Sequence, residues 1–183
     1  MKFKLIKTLF NNDFPYSRAG FTLVEVAIST VILGIFMSAL LFILSLSISS
    51  ATTVKNNFVA AFLAQEGVEL MNNLRHEDWI QGREFGSFGS ILGAVSDGEY
   101  RIQWDSLELM SLNGNPQLLI DDSTGLYGYS DGGIVGGNSG FYRKVIVETV
   151  VPDIEKRVTV RIEWSDDGNA KQINTEWHAF NWK

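Results

Sequence analysis

The sequence predicts an α+β fold in which a long N-terminal helix packs on a C-terminal antiparallel β-sheet head. Three observations carry this. Phe21 to Ile48 is a near-continuous apolar block, apolar residues recur at helical spacing from there to Arg75, and the C-terminal part alternates apolar and polar residues with a period of two. The implied segments are a basic cytoplasmic stretch at 1–20, a membrane-spanning half-helix at 21–48, an amphipathic half-helix at 49–76 and a β-rich head at 77–183.

The chain has 183 residues, a net charge of −6 and no cysteine. Without cysteine there is no disulfide framework and no thiolate metal site. Residues 1–20 hold Lys2, Lys4, Lys7 and Arg18 against Asp13, four of the 15 basic and one of the 21 acidic side chains, so the net charge without them is −9. An acidic remainder argues against nucleic acid as the main partner.

The basic cluster lies directly before the apolar block, and Lys55 stands alone in the stretch that follows it. The positive-inside bias therefore keeps the N-terminus cytoplasmic and sends the C-terminus out. The block FTLVEVAISTVILGIFMSALLFILSLSI crosses a hydrocarbon core of about 30 Å as a helix rising about 1.5 Å per residue. It exceeds the apolar region of about 7 to 15 residues in a cleaved secretory signal. A rival reading cuts after Ala51, discards the block and releases a soluble domain beginning at Thr52.

Glu25 is out of place in such a block. A carboxylate inside a lipid-spanning helix costs roughly 2.5–3.5 kcal/mol and calls for a partner. Lys55 lies about 45 Å away along a helix. Cleavage between Gly20 and Phe21 would create an ammonium group four residues before Glu25, available to Glu25 of a neighbouring chain. The bland reading is a glutamate snorkelling to the cytoplasmic interface.

Gly20-Phe21-Thr22-Leu23-Val24-Glu25, preceded by basic residues and followed by the apolar helix, resembles the class III signal of type IV pilins and type II secretion pseudopilins. The resemblance implies that 1–20 is a leader peptide, that a prepilin peptidase cuts after Gly20 and methylates Phe21, and that Glu25 neutralises a neighbour's N-terminus during assembly. It also implies other pilin or pseudopilin subunits and an inner-membrane assembly platform as partners, and a membrane protein that passes into an extracellular or periplasmic filament. Ala64 to Arg75 is similar to the helix end of minor pilins and minor pseudopilins. The paired C-terminal cysteines of many Gram-negative major pilins are absent.

In the second half of the helix, Val54, Phe58, Ala61, Val68 and Met71 form the stripe expected to dock on the sheet, with Lys55, Asn56, Glu66 and Glu69 in water. No proline lies between Pro15 and Pro116, so Gly34, Gly67 and the run Ser45 to Thr53 are the candidates for bending or melting.

Glycines at 82, 86, 89, 93 and 98 mark a connector after Arg75. Strands are expected at Glu99–Asp105, Leu118–Asp121, Leu126–Tyr129, Phe141–Val151, Arg157–Trp164 and Gln172–Trp182, the last three as an antiparallel meander. Val158, Val160, Ile162 and Trp164 should face the helix. The segment Gly132 to Gly140 opens onto a strand, which excludes a dinucleotide loop, and is expected to be a mobile surface loop.

The head is poorly supplied for catalysis, with two histidines and no nucleophile motif, so the chain reads as a structural protein and not an enzyme. His76, Glu77 and Asp78 are adjacent, and adjacent residues on a helix end rarely converge on one metal ion. Asp121, Asp122 and Asp131 are calcium candidates in an Asp/Gly-rich stretch that reads equally as ordinary turns. No cofactor is expected otherwise. The crowded aromatics Trp164, Trp177, Phe180 and Trp182 read as core and cross-strand packing, with a carbohydrate or adhesive surface as the other reading. Two functions of different class follow: a processed, filament-forming subunit, or an uncleaved bitopic membrane-anchored binding protein.

Overall fold

The computed structural model describes residues 20–130, 133, 134 and 136–182. A single helix, α1 (Leu23–Ile80), is followed by seven strands: β1 (Gly98–Arg101), β2 (Met110–Ser111), β3 (Gln117–Asp121), β4 (Tyr127–Gly128), β5 (Gly136–Val151), β6 (Glu155–Asp166) and β7 (Asn169–Phe180). The α+β layout is the expected one. The chain divides into two compact units between Ile48 and Ser49.

In the first unit every described residue is exposed. In the second, residues 49–80 of α1 lie on the sheet. The helix runs unbroken through Gly34, the serine-rich 45–53 and Gly67, the candidates for bending or melting. It ends at Ile80, five residues beyond the expected Arg75, and Gly82 stops it. Gly82 has φ 67°, its N–H donates to the Trp79 carbonyl at 3.2 Å, and the Arg83 N–H donates to the Asp78 carbonyl at 2.8 Å. These are the paired bonds of a Schellman cap, which favours glycine at the left-handed position.

The sheet is antiparallel throughout. β6 lies between β5 and β7, in unbroken register with β7 from Glu155↔Phe180 to Asp166↔Asn169 and with β5 from Phe141↔Trp164 to Thr149↔Lys156, after which a bulge shifts the pairing to Val151↔Glu155. The far edge of β5 is shared, with β1 pairing beside 145–147 and β3 beside 136–142. Asp167 and Gly168, both at positive φ, make the two-residue turn between β6 and β7. The 132–140 stretch is not wholly a loop as expected, because Gly136 to Gly140 begin β5. A Cβ on Gly136 would lie 1.6 Å from the Ile120 carbonyl oxygen, so glycine is what lets these strands close up.

Alternation along β6 places Val158, Val160, Ile162 and Trp164 in the core as expected. Of the expected stripe, Met71 is buried and Val68 packs against the core, but nearer the membrane-length segment the face differs. Val54 and Phe58 are exposed, and the buried face is Ala60, Leu63, Ala64, Gly67, Met71, Leu74 and Asp78. Small residues win because the helix approaches the sheet closely: a Cβ on Gly67 would stand 2.7 Å from Val160 Cγ1. Of the residues expected in water, Glu66 pairs with the buried Arg143 and Asn56 donates to Asp166.

Gly67→Val should therefore destabilise the head. The gain in helix propensity is a few tenths of a kcal/mol, against overpacking of about 1–3 kcal/mol. The net loss, about 2 kcal/mol, is to be read from urea unfolding of the full chain in detergent followed by tryptophan fluorescence; an unchanged midpoint would contradict the close contact.

Candidate processing and assembly site

The start of α1 is built by Thr22. Its Oγ1 accepts from the Glu25 N–H at 3.2 Å and its carbonyl accepts from the Val26 N–H at 3.1 Å, so Thr22 is the N-cap and Glu25 the third helical residue. Thr22-x-x-Glu25 is the pattern of a capping box, a signal present in the sequence and overlooked in reading Glu25 only as a buried charge. Ahead of the cap, Gly20 and Phe21 lie outside the helix. Phe21 is 82% exposed, and no atom lies within 4 Å of a Cβ built on Gly20. Nothing in the described chain's own packing requires glycine at position 20.

Glu25 is exposed in the first turn of α1, and its carboxylate makes no hydrogen bond or ion pair among the described residues. A carboxylate there is favoured by the helix dipole by about 0.3–1 kcal/mol. That is smaller than the roughly 2.5–3.5 kcal/mol cost of carrying it into lipid. The basic residues 2, 4, 7 and 18 lie outside the described residues. Hydroxyls in the first turns turn inward, with Ser29 Oγ donating to the Glu25 carbonyl at 2.7 Å and Thr30 Oγ1 to the Ala27 carbonyl at 2.9 Å. This hides polar groups on an otherwise apolar surface. Among the described residues α1 is the one helix long and apolar enough to cross a membrane, and the apolar window within it is unburied.

Of the calcium candidates, Asp121 and Asp122 lie among the described residues. Asp131 lies outside the described residues. Asp121 Oδ1 accepts from the Ser123 N–H at 2.8 Å, the Thr124 N–H at 2.9 Å and the Ser123 hydroxyl, which closes the β3–β4 turn. Those bonds hold the Asp121 carboxyl down to about 2, chiefly through the Ser123 hydroxyl. Asp122 is exposed, and among the described residues no group of three or more His, Cys, Asp or Glu is placed to hold a metal ion. Asp78, one of the three adjacent polar residues at the helix end, is instead buried, accepting from Arg83 Nη1 and the Gly89 N–H at 3.0 Å each.

A capped helix with an unburied apolar surface of membrane length at the N-terminal end fits membrane anchoring. Residues 16–41 match the family model described as the prokaryotic N-terminal methylation motif. The chain therefore carries the prepilin-type signal of type IV pilins and pseudopilins, the mark of a pilin-like or pseudopilin subunit processed by prepilin peptidase. Comparison with curated proteins and with solved structures gives no match.

The Asp121 turn yields a pH prediction. A carboxyl whose folded value is depressed to about 2 stabilises the fold above its unfolded value of about 3.9, and that stability is lost as pH falls from there towards 2. Asp121→Asn should flatten the fall in melting temperature between about pH 4 and 2. Because the three bonds to Asp121 Oδ1 set this turn without an ion, melting at neutral pH should be the same with calcium and with chelator; a calcium-dependent rise lost in Asp121→Asn would mean the carboxylate serves an ion.

Proposed function

We propose that the chain is a structural subunit, minor in its filament, of a type IV pilus-like or pseudopilus assembly. It is cleaved after Gly20 by prepilin peptidase, methylated at Phe21 and assembled through the apolar part of α1, with the N-terminus cytoplasmic and the head outside. The role is assembly, without enzymatic activity. The observation that carries this reading is the methylation motif spanning Phe21 and Glu25 at the start of an unburied apolar helix. Cleavage supplies what Glu25 lacks. Opposite unit charges about 4 Å apart are worth about 1 kcal/mol in water and about 4 kcal/mol at an effective dielectric near 20. Only the second figure offsets the cost of insertion, so the pair between Glu25 and a neighbour's Phe21 ammonium belongs in the dry interior of a filament.

The place of Glu25 in the first turn, at capping-box spacing from Thr22 and where the helix dipole favours a carboxylate, supports a second reading, an uncleaved bitopic anchor for a binding domain in which Glu25 serves only its own helix. Mass spectrometry of the mature N-terminus separates the two, with methylated Phe21 expected for the first and intact Met1 for the second. Glutamine serves a capping box as well as glutamate does, but carries no charge. Glu25→Gln should therefore be cleaved normally and be lost from sheared filaments by about tenfold or more, the scale of a lost ion pair of 1.4 kcal/mol or above. Wild-type incorporation of that variant would reduce Glu25 to a cap. Gly20→Val should keep its leader, visible as slower gel mobility.

A further inference from the structure

The last turn of α1, the cap after it and the end of β7 enclose a cleft of about 770 Å³. It lies within the second unit, roughly 40 Å along the helix from Ser49 at about 1.5 Å per residue, and the processing junction does not use it. Its volume falls in the range of small-ligand sites, about 300–1,000 Å³.

Two chemistries meet on its walls. Trp79 is 73% exposed and Trp182 is 63% exposed, giving indole surfaces to the cleft. Glu84, Asp153 and His76 also line it, and their side chains make no hydrogen bond or ion pair among the described residues. The frame behind them is fixed. The Arg75 guanidinium sits 4.9 Å over the Trp182 ring and donates to the Phe180 carbonyl. Trp182 stacks with Phe180 at 5.9 Å, and Phe180 with His178 at 6.2 Å. Asn181 ties the strand end to the β5–β6 turn through bonds of 2.8 Å to the Ile154 and Asp153 carbonyls.

The charges select among ligands. Arg75 is committed to Trp182 and Phe180, and Arg83 to Asp78 at 3.0 Å, while the Glu84 and Asp153 carboxylates remain uncommitted. A phosphorylated or sulfated ligand would meet those carboxylates with like charge. A purely apolar one would strip water from them without replacing its hydrogen bonds. A neutral sugar does neither, since its C–H face lies flat on an indole while its hydroxyls donate to carboxylates.

We propose that this cleft binds a neutral oligosaccharide, with Trp79 as the stacking platform and Glu84 and Asp153 as hydroxyl acceptors. The site stands whether or not the chain is cleaved. It is tested with the full chain in phospholipid nanodiscs, titrated with chitotriose, cellotriose and maltotriose and followed by tryptophan fluorescence and saturation-transfer NMR. At least one sugar should bind saturably. Trp79→Ala and Asp153→Asn should each weaken it by about tenfold or more, the scale of a contact worth over 1 kcal/mol, while Trp104→Ala, an exposed indole outside the cleft, binds as the parent does. Should Trp79→Ala lower the melting temperature of the head, Glu84→Gln and Asp153→Asn carry the test. The proposal falls if none of the three sugars binds saturably below about 10 mM, if binding survives the cleft substitutions, if Trp104→Ala weakens it equally, or if the cleft takes up a peptide and no sugar.

Discussion

The guanidinium of Arg143 is wholly enclosed between helix and sheet, and the way its charge is met decides how the two join. Nη1 lies 3.1 Å from Glu66 Oε2 and 3.4 Å from the Leu63 carbonyl, Nη2 donates to the Ile102 carbonyl at 2.8 Å, and the Arg143 carbonyl accepts from the Tyr129 hydroxyl at 3.0 Å. Breaking a fully buried pair by removing one partner costs about 3–5 kcal/mol, and less here because the Glu66 side chain is 34% exposed. A helix rotated or slid by one turn would break this set. Arg143 is therefore a register pin, and the small face of α1 is what brings it within reach: a Cβ on Gly67, next to Glu66, would be 3.5 Å from Arg143 Cδ.

That joint explains why only the Val68 and Met71 end of the docking face is legible in the sequence. Apolar residues surround α1 where it leaves the membrane-length segment, so hydrophobicity marks no single side. Val54, Phe58 and Ala61 have the right spacing and the wrong direction, whereas Ala60, Ala64 and Gly67 have little hydrophobic weight and are buried. The pin left a trace too. In the alternation Phe141, Arg143, Val145, Val147, all buried, a charged residue occupies an inward position. Such a misfit in a clean period-two pattern signals a buried ionic contact, although its partner on a helix 77 residues earlier is not legible from spacing.

Elsewhere legibility follows how local the cause is. The meander of β5, β6 and β7 was readable because alternation and a two-residue Asp-Gly turn are local. β2 was missed because two residues held only by pairing to β1 carry no pattern of their own. The glycine-rich start of β5 looked like a loop because its reason, contact with the Ile120 carbonyl, lies on another strand. At the junction, Gly20, Phe21 and Glu25 stood out by type and spacing, and the Thr22 cap was equally local but masked by the greater oddity of the charge. Trp164 points inward from β6, whereas Phe180 at the end of β7 and Trp182 beyond it line the cleft.

The exposed surface of α1 bears on the choice between filament and solitary anchor. Val54, Phe58 and Phe62 are 52%, 62% and 67% exposed and follow one another at four-residue spacing on a side the sheet does not cover. Apolar side chains thus recur from Phe21 to Phe62, interrupted by Ser49, Ser50, Thr52 and Thr53, over about 60 Å of helix at about 1.5 Å per residue, whereas a bilayer core covers about 30 Å. A solitary anchor leaves the remainder in water at about 25 cal/mol per Å². In the proposed filament, lateral packing of helices would cover this stripe and would draw Glu25 into dry surroundings where pairing with a neighbour's new N-terminus outweighs its cost. The proposed polymer therefore answers two problems with one act, the orphan carboxylate at the start of the helix and the surplus apolar surface beyond the membrane.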